Sequence, residues 1–329
     1  METKILKLDR ESVLLAKKIL LDGGVVAIPT ETVYGLGASG FNSLAVKEIF
    51  KVKGRPNDNP LIAHVHKDYD LNKLVCVKHD YVYKLIELFT PGPLTLVFES
   101  KGVISSEATC GGDTLAIRIP SHEGCQMLLK EVDIPIVAPS ANISKHTSPV
   151  TANQVFDDLN GKIPLILDGG KCSGGIESTV LDVTEQTPRI LRAGLITKEM
   201  IEKAVGSCEI AEHKEGDKVK SPGVKYKHYR PRCNTMLFNA GDIEGVINAY
   251  KEELSSGGTP YIMCENKYAE SFKDKNLLLL GNTPKEVASS LYDQLLNGEK
   301  KATLIIAISM EDEKGINLGI MNRLRKSCG

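Results

Sequence analysis

The chain has 329 residues, 42% of them hydrophobic and 25% charged, which is enough for two domains that each bury a core. With 41 basic and 42 acidic side chains the formal net charge is -1, so a protein that grips nucleic acid through a bulk field is excluded and RNA contact would need a local basic patch. The eight cysteines show no Cys-x-x-Cys pair, and the chain has no basic-then-apolar leader and no long apolar run; the expectation is free thiols in a reducing cytoplasm, away from membranes.

In chain order, Val13, Leu14, Ala16, Lys17, Ile19 and Leu20 predict a first helix that stops at Gly23-Gly24. A strand is expected at 25–29 and a helix at 42–52, running into Lys53-Gly54-Arg55 and then Pro56-Asn57-Asp58-Asn59-Pro60. There the two prolines are expected to end the helix and expose the cations. Strands are expected at 61–65, 95–99, 114–119 and 134–138, with helices at 81–89 and 124–131. After the last of these strands, Pro139 leads into Ser140-Ala141-Asn142. Ligands of open α/β sheets gather at such strand ends, so the two tripeptides read as one anion-handling site. Helices at 152–159 and 198–205 and strands at 164–167, 179–183 and 189–192 follow, in one twisted sheet of mixed direction.

From 207 to 234 the pattern dissolves into charge, Gly, Pro and Tyr, the signature of an interdomain linker. Within it Lys220, Lys225, Lys227, His228, Arg230 and Arg232 alternate with Tyr226 and Tyr229. Beyond the linker, strands at 235–239, 260–264, 277–280 and 302–309 alternate with helices at 242–254, 284–297 and 318–326. Thr283 and Glu286 form a capping box with Pro284 at the first helical position. This alternation predicts a small Rossmann-like parallel sheet, with no catalytic constellation of its own.

Period-two geometry separates Leu115, Ile117 and Ile119 from Thr114, Ala116 and Arg118, so one face of that strand packs and the other presents a cation. The same rule sets His64 with Ile62, opposite Leu61, Ala63 and Val65, and Arg192 with Ile190, opposite Leu191. Buried arginines need partners: an anion in a pocket and an internal carboxylate such as Glu177 or Asp168 both serve. His64-x-His66 lacks further ligands at metal-site spacing, so no metal centre is expected. Gly35-Leu36-Gly37-Ala38-Ser39-Gly40 matches a dinucleotide fingerprint, but Thr30 to Tyr34 intervene after the strand and Asp58 sits in a Pro/Asn loop, not after a second strand. Walker A, Gly-x-Ser-x-Gly and His-Glu-x-x-His patterns are absent. A different class remains open: an RNA-binding module whose basic, tyrosine-bearing linker and sheet grip tRNA or duplex RNA, although no RNP, KH or zinc-knuckle signature appears.

The ordered series Pro29-Thr30-Glu31-Thr32-Val33-Tyr34-Gly35-Leu36-Gly37, Lys53-Gly54-Arg55, Pro91-Gly92-Pro93-Leu94-Thr95, Thr114-Leu115-Ala116-Ile117-Arg118-Ile119-Pro120, Ser140-Ala141-Asn142, Glu177-Ser178-Thr179-Val180 and the linker 221–229 resembles the YrdC/Sua5 family, threonylcarbamoyl-AMP synthases of the tRNA t6A pathway, over essentially the whole chain. Departures are Lys145 where the family commonly has glycine, Val224 for methionine and Arg230 for alanine. The resemblance implies a YrdC-like mixed sheet with flanking helices at 1–208, a basic linker at 209–232 that straps over the nucleotide pocket, and a smaller Rossmann-like domain at 233–329. It implies that L-threonine, bicarbonate and ATP give L-threonylcarbamoyl-adenylate and pyrophosphate, with Mg²⁺ arriving on ATP and no tightly bound cofactor. A downstream tRNA threonylcarbamoyl transferase is the expected partner, and direct tRNA contact is left open. By the same resemblance Lys53, Arg55, Ser140 and Asn142 are catalytic; Thr32, His64, Arg118, Ala138 and Ser178 hold threonine; and Arg55, Asn59, Thr114, Ser140, Ser148, Arg192 and Tyr226 hold ATP.

Overall fold

The computed structural model describes residues 2–211 and 229–329. Tyr226 and most of the basic linker lie outside the described residues. Two sheets organise the rest, one of twelve strands and one of four.

The larger sheet runs, from edge to edge, Lys4–Lys7, Leu165–Asp168, Val26–Ile28, Gly35–Ser39, Ile136–Ala138, Ile62–His64, Thr114–Arg118, Leu94–Ser100, Thr179–Asp182, Arg189–Arg192 and Glu209–Ile210, with Val75–Cys76 pairing on Leu94–Ser100. Its direction is mixed, as the sequence predicts. Gly35–Ser39 is antiparallel to both of its neighbours, Val26–Ile28 and Ile136–Ala138. The Gly-x-Gly-x-x-Gly segment is therefore largely a buried strand of the sheet and not a phosphate loop. Helices cover both faces. Val13, Ala16 and Leu20 of Arg10–Leu21 pack with Leu128, Leu129 and Val132 of Glu123–Val132 over Val26, Ile28 and Leu165. On the other side Ala45, Val46 and Ile49 of Ser43–Lys53 pack into a core with Leu36, Ala38, Leu115 and Ile117. Each buried aliphatic side chain of this kind contributes about 1.5–3 kcal/mol.

A third patch, Ile62, Val97, Ala116 and Val180 with Leu191, is made of strand residues alone. It forms the floor on which the functional residues stand. One expectation fails here: Leu191 packs with this patch, whereas Ile190 joins the large core. Register slips between Val180 and Leu181, so that Arg192 pairs with Val180 while Ile190 pairs with Leu181. The bulge makes Leu191 the extra residue and breaks the alternation that would have put Ile190 and Arg192 on one face.

The smaller sheet is fully parallel, in the order Asn234–Phe238, Leu304–Ile308, Pro260–Cys264, Leu277–Leu279. Its helix Pro284–Gly298 opens on the Thr283/Glu286 capping box, with Pro284 in the first turn. Val287, Ala288, Leu291, Tyr292 and Leu295 of this helix, with Ile320 and Leu324 of Ile316–Cys328, belong to the same apolar cluster as Ile176 and Val150 of the larger domain. The two sheets thus share a continuous core. Gly175 shows how close the approach is: a Cβ there would lie 2.3 Å from the Ala288 carbonyl oxygen, which no side chain tolerates.

Candidate active site

The helix Ser43–Lys53 ends because Gly54 takes the left-handed conformation, φ 59°, and its N–H returns to the last turn. Gly54, not the prolines, stops the helix. The consequence is a correction to the exposed cation pair: Lys53 is buried, 2% exposed, and its ammonium points inward. Its Nζ donates to the Ser140 carbonyl at 2.5 Å and to the Asn142 carbonyl. In return Ser144 N donates to the Lys53 carbonyl at 2.8 Å. The two tripeptides are therefore directly bonded, although 87 residues apart. Burial, then the charge of Arg55, push the Lys53 ammonium well below its ordinary pKa. Arg55 is half-buried, lies over the Phe50 ring at 5.9 Å and donates to the Asn59 carbonyl at 2.8 Å. Its guanidinium side lines a cavity of about 670 Å³, solvent at the mouth included.

On the sheet, His64, Arg118 and Arg192 line the cavity from one row of register partners. His64 is the register partner of Arg118, Arg118 of Thr95, Thr95 of Val180, and Val180 of Arg192. Ligand-facing groups thus stand on the sheet face as well as at a strand end. Arg118, 4% exposed, faces Glu31 at 2.9 Å. Nη2 of Arg118 and Oε2 of Glu31 form a buried ion pair. Burial would raise the Glu31 pKa, but the Arg118 charge outweighs it and holds the carboxyl below its ordinary range. Burial, aided by Arg118, pushes His64 down to about 3, so the ring is neutral, with Nδ1 3.1 Å from the Ile62 carbonyl. Thr32 hydrogen-bonds through its hydroxyl to Thr30 at 2.9 Å.

Ser178 is held from two sides. Its hydroxyl lies 2.7 Å from Thr95 Oγ1 and accepts from Arg192 Nη2 at 3.1 Å, while its carbonyl accepts from Arg192 Nε at 3.1 Å. Ser148 donates to Glu177 Oε1 at 2.7 Å. Asn142 braces its own loop, Nδ2 donating to the Ile143 and His146 carbonyls at 2.8 Å each, and its buried Oδ1 is left without a partner.

Of the residues singled out from sequence, Thr32, Arg55, His64, Arg118, Ala138, Ser140, Asn142, Ser148, Ser178 and Arg192 line this one cavity. Lys53 stands behind its wall, bonded to two wall residues. Asn59 is buried beside Arg55 with neither side-chain amide atom partnered, and does not reach the wall. Thr114 lies at the far end of the Arg118 strand, half-buried and away from the cavity. Sequence reasoning gave no ligand role to Thr30, Glu31, Thr95 or His146, and placed Tyr229 only within the linker expected to strap over the pocket. Thr95 was legible, because it shares a strand face with Val97 of the floor. His146 has no local signal; its place depends on carboxylates of two other segments. Among the described residues no group of three or more His, Cys, Asp or Glu side chains is placed to hold a metal, and no helix is long and apolar enough to cross a membrane.

The protein is a two-domain α/β protein whose larger sheet carries an arginine-lined, hydroxyl-rich cavity, a lining whose chemistry suits small anionic or zwitterionic ligands. The family model Sua5_yciO_yrdC, described as "Telomere recombination", matches residues 18–194, and the model described as "Threonylcarbamoyl-AMP synthase, C-terminal domain" matches residues 196–329. The chain belongs to the Sua5/YrdC family. It is 38% identical to the threonylcarbamoyl-AMP synthase of Pyrococcus abyssi, over 98% of this chain and 96% of the relative, and 39% identical to that of Bacillus subtilis, over 95% and 92%. The crystal structure of P. abyssi Sua5 complexed with L-threonine superposes with a TM-score of 0.90 at 37% identity, covering 99% of this chain and 96% of that one. Escherichia coli YciO, at 22% identity and a TM-score of 0.52, shares the fold over 59% of this chain.

Proposed function

We propose that this protein is an ATP-dependent nucleotidyltransferase that makes L-threonylcarbamoyl-adenylate from L-threonine, bicarbonate and ATP and releases pyrophosphate. The observation that carries the reading is that Arg118 and Arg55 line one cavity, whose Ser140 wall is tied to the Arg55 segment through Lys53. The names and the threonine complex of the full-length relatives support it.

L-Threonine is a zwitterion with a hydroxyl. The Arg118 guanidinium suits its carboxylate, and the Glu31 carboxylate paired with it suits its ammonium. Neutral His64, Thr32 and Ser178, with the Ala138 backbone, offer uncharged hydrogen bonds to the remainder. Loss of a proton from the ammonium frees the amine to add to bicarbonate; water leaves and a carbamate forms. A carbamate oxygen then attacks the α-phosphorus of ATP in line, and the bond to the β-phosphate oxygen breaks to release pyrophosphate. Such transfers depend on positioning and charge stabilisation more than on a protein nucleophile. Arg55, Ser140, Ser148, Arg192 and Asn142 serve the nucleotide in this reading, with Asn59, Thr114 and Tyr226 as contacts implied by resemblance. Mg²⁺ bound to the triphosphate would neutralise part of its charge, and Glu177 would stay with Ser148, Tyr292 and Arg323. The adenylate would pass, in the cytoplasm, to a tRNA threonylcarbamoyl transferase acting on adenosine 37.

Pyrophosphate release measured with each substrate omitted in turn tests the reading. Release is expected only with L-threonine, bicarbonate and ATP together, with L-serine about tenfold or more poorer because one buried methyl is lost. Release that ignores threonine overturns the proposal, and salt-sensitive tRNA binding without any turnover favours the RNA-binding module instead.

A further inference from the structure

We propose that Tyr292 and Arg323, on the helices of the smaller domain, are positioning residues for the cavity of the larger one, acting through Glu177 on Ser148 and on the segments that carry Ser178 and Arg192. The inference deepens the adenylate-forming reading and rests on it.

Glu177 is 7% exposed and divides its carboxylate between two domains. Oε1 accepts from Ser148 Oγ on the cavity wall at 2.7 Å. Oε2 accepts from Tyr292 Oη at 3.0 Å and from Arg323 Nε at 3.1 Å. Arg323 is completely buried and does more than neutralise this charge. Its Nη2 donates to the Glu177 carbonyl at 3.4 Å, and its Nη1 donates to the Ala193 carbonyl. Those two carbonyls flank Ser178 and Arg192, which bond each other through Arg192 Nε and Nη2. One guanidinium therefore fastens together the two chain segments from which the Ser178–Arg192 contact is made. Tyr292 also stacks on Tyr229 of the cavity wall, ring centroids 5.3 Å apart.

An ion pair that only glues two domains would spend both carboxylate oxygens across the interface. Here one oxygen turns away from the interface to hold a wall hydroxyl. Burial and the nearby Glu177 charge keep the Tyr292 phenol protonated, so it acts as a donor. Glu177 itself is held ionised: burial raises its pKa, and the charges of Arg323 and Arg192 overcome that. With the Tyr292 and Arg323 donors withdrawn, the buried carboxylate would have to take more of its compensation from Arg192, and Ser148 and Ser178 would lose their fixed geometry.

The test is steady-state pyrophosphate release by the full chain carrying Tyr292→Phe, Arg323→Lys, Ser148→Ala and the Tyr292→Phe/Ser148→Ala pair, with calorimetric binding of a non-hydrolysable ATP analogue alongside. Tyr292→Phe keeps the ring and removes one donor. It is expected to raise KM and the analogue Kd about three- to tenfold, the size of one hydrogen bond, with a melting temperature lowered by the lost buried donor but a folded protein retained. That effect should shrink in the Ser148→Ala background, as the non-additivity of coupled residues requires. Arg323→Lys should also raise KM for L-threonine. Unchanged KM and Kd in Tyr292→Phe, or an equal effect with and without the Ser148 hydroxyl, overturns the inference. A wild type that releases no pyrophosphate sinks the adenylate reading, and the analogue Kd of wild type and Tyr292→Phe still decides the positioning role.

Discussion

The two sheets use the same building blocks and arrive at different ends. The smaller is parallel throughout, and its strand Leu304–Ile308 is buried at every residue, with apolar side chains alone. In the larger, Gly35–Ser39 and Ile136–Ala138 run antiparallel to neighbours, a bulge interrupts Arg189–Arg192, and His64, Arg118 and Arg192 are buried in the sheet. Regular pairing gives a packing surface. The candidate site sits where pairing is interrupted, because reversal and bulge bring a loop such as 139–142 and a cation such as Arg192 over a face whose apolar patch, among the described residues, is made of strand residues.

The sharpest way to break that contrast is at Lys53. Lys53→Ala leaves the Ser140 and Asn142 carbonyls without their buried donor, so both activity and stability should fall, the latter by about 1–3 kcal/mol; turnover and unfolding of the purified variant read both. Arg55→Ala should separate the two. It removes a half-buried cation from the wall, and turnover is expected to drop by about two to three decades, roughly 2–4 kcal/mol of transition-state stabilisation, at an unchanged melting temperature. Near-normal turnover removes Arg55 from the mechanism.

The seam between the domains titrates. His146 lies 2.8 Å from Asp158 of the larger domain and 2.9 Å from Glu299 of the smaller, with Arg232 on Asp158 at 2.7 Å. Burial alone would lower its pKa, but the two carboxylates raise it from 6.5 to about 9. A raised histidine contributes stability that is fully present below its unfolded value and is lost as pH climbs through the folded one. The melting temperature should therefore fall between pH 6.5 and pH 9 by the equivalent of about 2 kcal/mol, and His146→Gln should flatten that slope. The smallest expected effect is at Lys145, an exposed residue held at φ 74°. Lys145→Gly should raise stability by less than about 1 kcal/mol in thermal unfolding, by relieving left-handed backbone cost.

Local signals carried the fold well. The helix Ala152–Leu159 follows from Thr151 and Gln154, which close a capping box, and Pro284–Gly298 from Thr283 and Glu286 in the same way. Strand Gly35–Ser39 was illegible because its glycines read as a loop, although in the sheet they make room for neighbours such as Ile136. The face of Arg192 was misjudged because a bulge has no signature in four residues. Lys53 read as solvated charge since nothing local tells that two carbonyls far along the chain will receive it. The polar row from His64 to Arg192 is a property of register between strands, and the tie from Glu177 to Arg323 spans 146 residues. Pairing of that kind is written in no window of sequence.

The central claim is that one cavity receives both a β-hydroxy amino acid and a triphosphate. Crystals grown with L-threonine and a non-hydrolysable ATP analogue test it most directly. The account predicts both ligands in the cavity, the threonine carboxylate on Arg118 and the phosphates against Arg55 and Ser140; either ligand bound elsewhere, with Arg118 still facing only Glu31, would contradict it.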